Sequence, residues 1–482
     1  MDDSLSVGFL LYLIVVAVLG ARVIMRRPPP GVGAAWLLSL ILLPYVGAVL
    51  YLLIGERAIG RRRLNQAAEM LPSVSAHFAA IANRAAARVD EVPERWRPIG
   101  RLAARAASTA PLRANEVALI DGAEPILKSV IADIAGATQT CFMEFYIWQE
   151  GGLADEIGLA LLHAAGRGVC CRLLLDDVGS APFFDSAWPE RFRAAGIDVQ
   201  RALPVGLLRA MFRRIDLRLH RKLIVIDRQL AYTGSLNLVD PRYFKRNAGL
   251  GYWVDAMVRV QGPVVDALSA LFAWDWALES GERFLVAERE GRMDDPPIQA
   301  GEVVQMVPSG PGYEESTIVQ LLLSAVYGAR TEITLTTPYF VPGEALVGAL
   351  RAAALRGVGV RLIVPERVDS LLVRQASRAF YDDLLQAGVE ILQFHGGLLH
   401  TKSVVVDREL VFFGTVNLDL RSLLLNHEIT LIVYGTSFAS AVADLQRKYA
   451  DQAEPIDAAN WRQRSATRRF VENTVRLASP LL

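Results

Sequence analysis

The chain has 482 residues, enough for two or three domains or one large duplicated unit. Hydrophobic residues make up 52% and the mean hydropathy is +0.28, high for a soluble protein and low for a polytopic one, so a globular body with a small membrane part fits. Lys+Arg and Asp+Glu balance at 51 each, which argues against a nucleic-acid partner held by bulk charge.

The N-terminus is apolar. Residues 4–21 carry no charge, and a second uncharged run covers 28–55 with its apolar centre at 34–54. A bilayer core needs about 20 apolar residues per helix. The two runs therefore predict a transmembrane hairpin over 1–63, with spans at about 4–24 and 34–54. The acidic start, Met1-Asp2-Asp3, argues against a cleaved signal peptide, which begins basic. Arg22, Arg26 and Arg27 lie between the runs, whereas Arg57, Arg61, Arg62 and Arg63 follow the second. The larger cluster places the body in the cytoplasm, by a margin of one arginine.

Residues 64–112, rich in Ala and Arg, read as a helical linker. The chain then repeats itself, in halves 113–300 and 301–482. The first copy begins with an apolar strand at 142–148 and a helix at 153–165. A strand at 169–175, a second helix ending at Gly196 and an extended stretch at 197–200 follow. The second copy takes the same order: strand 333–336, helix 344–355, strand 358–364, a helix ending at Gly388 and strand 389–393. Alternating strands and helices predict an α/β fold with largely parallel sheets covered on both faces. Cys141, Cys170 and Cys171 match neither a zinc nor a disulfide framework and read as reduced thiols.

Each copy then reaches the same constellation. The first is His220-Arg-Lys222-Leu-Ile-Val-Ile-Asp227 with Gly234-Ser235-Leu-Asn237. The second is His400-Thr-Lys402-Ser-Val-Val-Val-Asp407 with Gly414-Thr415-Val-Asn417. His and Lys two apart share one side of an extended segment. Lysine offers positive charge to phosphate oxygens. Ser235, Asn237, Thr415 and Asn417 offer hydrogen bonds to a substrate as charge shifts. Histidine serves as nucleophile or general acid near neutral pH. One histidine cannot attack phosphorus and also protonate the oxygen leaving on the far side, whereas two can. A single match to this pattern would be weak; two inside an independent repeat are not accidental. His77, His163, His395 and His427 have no repeated partner and read as structural or peripheral.

These residues resemble the phospholipase D superfamily, whose signature is the duplicated His-Lys-Asp motif, and most closely bacterial cardiolipin synthases. The resemblance extends to 142–148, 233–245, 337–342 and 396–422 and covers nearly the whole chain; His427 stands where the family more often has an aromatic residue. It implies a duplicated phospholipase D-type α/β fold, two sandwich halves forming a pseudo-dimer within one chain. It also implies a phosphatidyltransferase of the bacterial inner membrane that joins two phosphatidylglycerol molecules into cardiolipin, with a phosphatidyl-histidine intermediate. No cofactor and no metal are implied, because Lys222 and Lys402 supply the charge. His220 is taken as nucleophile and His400 as acid and base. A hydrolase, or a transferase using another alcohol, would carry the same motifs. Asp227 and Asp407, although motif residues, end their strands and are expected to hold local backbone or the lysines. Asp255 and Glu428 occupy matching positions in the repeats. Each either orients a histidine ring or is an ordinary solvated carboxylate at a strand start.

From Gly196 to His220 the chain advances 24 residues, against 12 from Gly388 to His400. The extra segment interleaves Leu207, Leu208, Met211 and Phe212 with Arg209, Arg213, Arg214 and Arg218. That is the pattern of a helix lying on an anionic membrane, or of a core-packed amphipathic helix; the anionic lipid substrate favours the membrane. A similar mixture over 468–482 predicts a C-terminal amphipathic tail.

Overall fold

The computed structural model describes residues 2–28, 30–43, 45–55, 61–205, 217–244, 249–282, 301–314 and 316–477. The segment expected to lie on the membrane, with Leu207, Leu208, Arg209, Met211, Phe212, Arg213 and Arg214, falls outside the described residues. The chain divides into a unit that takes residues 1–65 with Val205 and Leu217, and a larger one from 66–204 and 218–482.

In the first unit, α1 (Asp2–Met25) is long and apolar enough to cross a membrane over Val7–Met25. The second apolar run is not the single helix that hydropathy predicted. It forms α2 (Pro30–Leu42), then α3 (Val46–Leu50) and one π-helical turn, Tyr51–Gly55. Pro44, outside the described residues, falls between α2 and α3 in the sequence; proline has no N–H to donate to residue 40 and disfavours helix at the residue before it. Tyr12 compensates, its hydroxyl lying 3.0 Å from the Leu40 carbonyl and 2.5 Å from that of Ile41. Tyr45 donates to Gly8 O at 2.9 Å. Leu19, Val23, Leu40, Ala48 and Tyr51 pack together between these elements.

The larger unit takes α4 (Arg61–Ala85) from residue 66 on, with Phe78 and Ile81 in its core, and then α5 (Arg97–Ala107). The first half then supplies β1 (Leu112–Asp121), α6 (Ala123–Gly136), β2 (Thr140–Phe145), α7 (Leu153–Gly166), β3 (Cys170–Asp176) and β4 (Asp198–Ala202). After these come β5 (Lys222–Ile226), β6 (Leu230–Gly234), a short β7 (Trp253–Val254), β8 (Ala256–Gln261) and α8 (Val264–Ser280). The second half supplies β9 (Glu302–Ser309), α9 (Thr317–Gly328), β10 (Glu332–Thr336), a short β11 (Phe340–Val341), α10 (Glu344–Leu355), β12 (Gly359–Pro365), α11 (Leu371–Gln386) and β13 (Glu390–Phe394). It continues with a short β14 (Leu398–Leu399), β15 (Ser403–Val406), β16 (Leu410–Gly414), a short β17 (Leu418–Asp419), β18 (Glu428–Tyr434), α12 (Thr436–Ala450), β19 (Ala453–Pro455) and α13 (Ala466–Leu477).

Among the described residues, fifteen strands form one sheet whose order repeats about its centre. Outward from the junction the first half reads β1-β8-β6-β5-β2-β3-β4. The second reads β9-β18-β16-β15-β10-β12-β13, followed by β19. The halves meet where β1 pairs antiparallel with β9 across a bulge. Buried Asn115 satisfies that bulge: its amide donates to Leu112 O at 2.7 Å and its oxygen accepts from Val264 N at 2.9 Å. The expectation of largely parallel strands holds only where helices connect them, in β2-β3-β4 and β10-β12-β13. The motif strands are antiparallel, because tight turns join them.

Alternate residues of each motif strand enter different cores, which is why they read as unbroken apolar runs. Leu223 and Val225 face a core shared by both halves and closed by α8 and α12, whereas Ile224 and Ile226 face α6 and α7. The opposite face of the second half packs α5, α9, α10 and α11. The predicted C-terminal tail is helical and docked over its described part, to Leu477: buried Glu472 on α13 takes Arg378 and Arg464 at 3.2 Å and Arg468 at 3.3 Å, while Phe470 and Leu477 stay exposed.

Candidate active site

Each motif histidine enters the site hydrogen-bonded to the other half. His220 N–H donates to the His427 carbonyl at 3.0 Å, and His400 N–H to the Val254 carbonyl at 2.8 Å. β14, just before His400, pairs with β7, just before Asp255. Leu219 bridges His427, just before Glu428. The side chains therefore pair crosswise. His220 Nδ1 donates to both oxygens of Glu428 at 2.9 Å, and His400 Nδ1 donates to Asp255 Oδ1 at 2.7 Å. Neither half holds a complete histidine–carboxylate pair of its own. With Nδ1 facing an acidic side chain, each ring keeps Nε2 for chemistry.

All four groups are buried, as are both lysines, whose ammonium groups donate to the carbonyl of their own motif histidine at 2.9 Å for Lys222 and 2.5 Å for Lys402. Burial dominates the electrostatics. It lowers His220 well below its ordinary value, helped by Lys222, Lys402 and Arg421. It lowers His400 to about 4, with Lys402 adding to the effect and Asp255 opposing it. Lys222 is lowered to about 8 by burial, and Lys402 is lowered by burial and by the Lys222 charge. The carboxylates diverge. Burial lifts Glu428 to about 8, against the pull of Lys222 and Thr415. Burial would lift Asp255 too, but His400, Lys402 and Ser235 outweigh it and hold it low. Two compressed cations beside two neutral imidazoles make a site that gains by taking up an anion.

The serine and threonine expected to bind substrate have partners of their own. Ser235 Oγ donates to Asp255 Oδ1 at 2.6 Å and accepts from Ala256 N at 3.0 Å. Thr415 Oγ1 donates to Glu428 Oε2 at 2.5 Å and accepts from Ile429 N at 2.9 Å. Both hydroxyls are committed to fixing the carboxylates. Asn237 accepts from Ile147 N at 3.3 Å, and Asn417 hydrogen-bonds Asp419; both are buried beside the motif strands.

Asp227 and Asp407 stand at the far ends of β5 and β15 from the lysines, about 15 Å away along the strand. Each opens a three-residue hairpin connection in the left-handed region, at φ 51° and 50°, followed by Arg228 and Arg408 at 54° and 53°. Short polar residues tolerate that region best. The Asp227 carboxylate accepts from the Thr138, Gln139 and Thr140 amides and the Thr138 hydroxyl, at 2.7–2.8 Å. Asp407 does the same for 330–332 and also takes Arg95. They lock the hairpin to the start of β2 or β10 and touch neither lysine nor histidine.

The comparisons agree with this geometry. The family model described as "Cardiolipin synthase, PLD-like domain" matches residues 130–276 and 322–449, one match per half. A second model, "Phospholipase_D-nuclease N-terminal", matches 14–56. Cardiolipin synthase A of Erwinia tasmaniensis is 44% identical over 471 residues, 98% of this chain and 97% of that protein. The Escherichia coli protein of the same name is 43% identical over the same shares. The chain belongs to the cardiolipin synthase family of the phospholipase D superfamily. A crystal structure of phosphatidylserine synthase from Haemophilus influenzae aligns with a TM-score of 0.58 at 16% identity, covering 80% of this chain and all of that one, a likeness of fold.

Four residues beside the motif histidines and lysines escaped the sequence reading of this cardiolipin synthase family member. Tyr146 places its ring 5.2 Å from that of His220 and 5.7 Å from Lys222 Nζ. Trp253 lies 4.4 Å from the His400 ring. Both aromatics come from the first half; the matching second-half positions are Pro338 and Asn426, so the repeat gave no signal for them. Arg221 and Thr401, inside the motifs, are buried behind the histidines. His427, read as peripheral, serves through its backbone. His163 and His395 are exposed.

Proposed function

We propose that the protein is a membrane-anchored cardiolipin synthase that transfers a phosphatidyl group from one phosphatidylglycerol to another. The crosswise pairing of two buried histidines with two carboxylates, around two lysines, carries this reading. The donor phosphate takes the lysine charges. Nε2 of one histidine attacks phosphorus while the bond to the glycerol oxygen breaks, and that oxygen takes a proton from the other histidine. The phosphatidyl-histidine is then attacked by the glycerol hydroxyl of a second phosphatidylglycerol. Its proton returns to the acid–base histidine, and the P–N bond breaks. Free glycerol and cardiolipin leave. Before the first step one histidine must be protonated. Phosphate binding supplies the condition, because its negative charge offsets the lysines that depress both rings. His220 is taken as nucleophile. The apolar helix α1 anchors the protein; a hairpin completed by the interrupted second run, with the body cytoplasmic, is the topology we favour.

The test is lipid mass spectrometry of purified protein in vesicles of phosphatidylglycerol alone. One glycerol should appear per cardiolipin. Phosphatidic acid without cardiolipin would instead identify a hydrolase. Two displacements retain configuration at a chiral phosphorothioate, and inversion would exclude the covalent intermediate.

A further inference from the structure

Arg221 follows His220 and points away from the site, fully buried. Its Nε donates to the main-chain carbonyl of Glu428 at 3.1 Å. Its Nη1 makes an ion pair with Asp275 on α8 and lies 3.8 Å from Glu144 on β2. One guanidinium thus joins two first-half elements to the second-half strand that carries the partner of His220. Thr401, the residue after His400, makes a lighter version of the same crossing. Its hydroxyl reaches the Val254 carbonyl, next to Asp255, at 3.4 Å and shares a hydrogen bond with Tyr449 at 3.0 Å. The motif itself requires neither residue; the position between His and Lys is arginine in one half and threonine in the other.

We propose that Arg221 is a positioning residue for the phosphatidyl transfer, holding Glu428 against His220 across the boundary between the halves. A planar fork with five donors can grip an anionic anchor and a carbonyl together. Lysine, a compact charge on a flexible stem, can neutralise the anchor without bracing the strand. The proposal rests on the reading of His220 and Glu428 as a working pair. It assigns Arg221 no contact with substrate.

Arg221→Lys separates the roles, since it keeps a charge beside Asp275 and Glu144. The expected outcome is an unfolding midpoint close to that of the unaltered protein, kcat for cardiolipin formation down about tenfold, and KM for phosphatidylglycerol within about twofold. The decisive measurement repeats the substitution in a Glu428→Gln background. If Arg221 acts through the Glu428 carboxylate, the second loss shrinks to less than about threefold. An equal fold-loss in both backgrounds, or no loss in either, overturns the proposal. Should Arg221→Lys not fold, Asp275→Asn, which loosens the anchor, is put through the same cycle with the same criteria. Absence of cardiolipin from the unaltered protein would instead sink the functional reading, so the two failures are distinguishable.

Discussion

The two halves of the site have one topology and different chemistry. In the second half's motif, His400 meets the short side chain of Asp255 through one 2.7 Å bond, and that carboxylate stays ionised because His400, Lys402 and Ser235 overcome its burial. In the first half's motif, His220 meets Glu428 through a symmetrical pair of 2.9 Å contacts, and burial lifts that acid to about 8. The first is a charge-assisted bond; in the second, burial favours the neutral form of the acid. A duplicated fold thus yields two unlike imidazoles, as a reaction needs when one must attack and the other must shuttle a proton.

The largest effect should come from removing either ring. His220→Ala and His400→Ala should each lower cardiolipin formation by about 10³-fold or more in a folded, membrane-bound protein, and the double variant should be little worse than either single. Near-normal turnover by either single variant, read by mass spectrometry, would end the division of labour. The carboxylates come next and break the symmetry. Asp255→Asn replaces an ion and should cost on the order of 10²- to 10³-fold in kcat at pH 7. Glu428→Gln replaces an acid that is mostly protonated at that pH and should cost only about tenfold. Equal losses would mean that the two pairs are electrostatically alike after all.

A smaller effect follows from the lysines. Lys222 is charged below about pH 8 and neutral above it. In the free enzyme, kcat/KM for phosphatidylglycerol should therefore gain an alkaline limb above that point, a further fall of up to about tenfold per unit beyond the one set by the protonated histidine that the first step needs. Bound phosphate restores the charge, so the fall in kcat should lie at higher pH. Lys222→Arg, which does not titrate in this range, should lose the alkaline limb whatever its remaining rate. A limb that persists in this variant would assign it to another group.

What the sequence disclosed, and what it hid, divides along the same lines. Repeats, motif strands and the α/β class are local patterns of hydrophobicity and spacing, and they were legible. The histidines and lysines were legible because the same residues recur at the same spacing in both halves. The crossing of Asp255 to His400 and of Glu428 to His220 was not, since nothing local in either half says which half completes it. Ser235 and Thr415 sit at the right turns but spend their hydroxyls on the carboxylates, a distinction that only a three-dimensional count of donors reveals. Tyr146 and Trp253 have no repeated counterpart. Hydropathy found the second apolar run and overlooked Pro44, because window averages weigh composition and not missing N–H groups.

The smallest catalytic effect is expected at the two motif aspartates, and there the halves should differ in stability. Both carboxylates are buried enough to be raised, but the amide donors of 138–140 and 330–332 outweigh burial and hold them low. A depressed carboxylate contributes stability that is complete above the unfolded value near 4 and is lost as pH falls through the folded one. Between pH 6 and 9 both hairpins should therefore be fully clamped, and the alkaline limb should owe nothing to them. Asparagine tolerates the left-handed position, so Asp227→Asn and Asp407→Asn keep the turn while setting an NH₂ group against N–H donors. Each should lower unfolding free energy by about 1–2 kcal/mol, from the loss of charge-assisted bonds. Asp407→Asn should be the worse, since it also weakens the partly buried ion pair with Arg95 at 2.5 Å. Turnover per folded molecule should stay within about twofold in both, because neither side chain reaches a histidine or a lysine. Denaturation in detergent alongside cardiolipin assays would check this. A large fall in kcat without a fall in stability would put the motif aspartates back among the reacting groups.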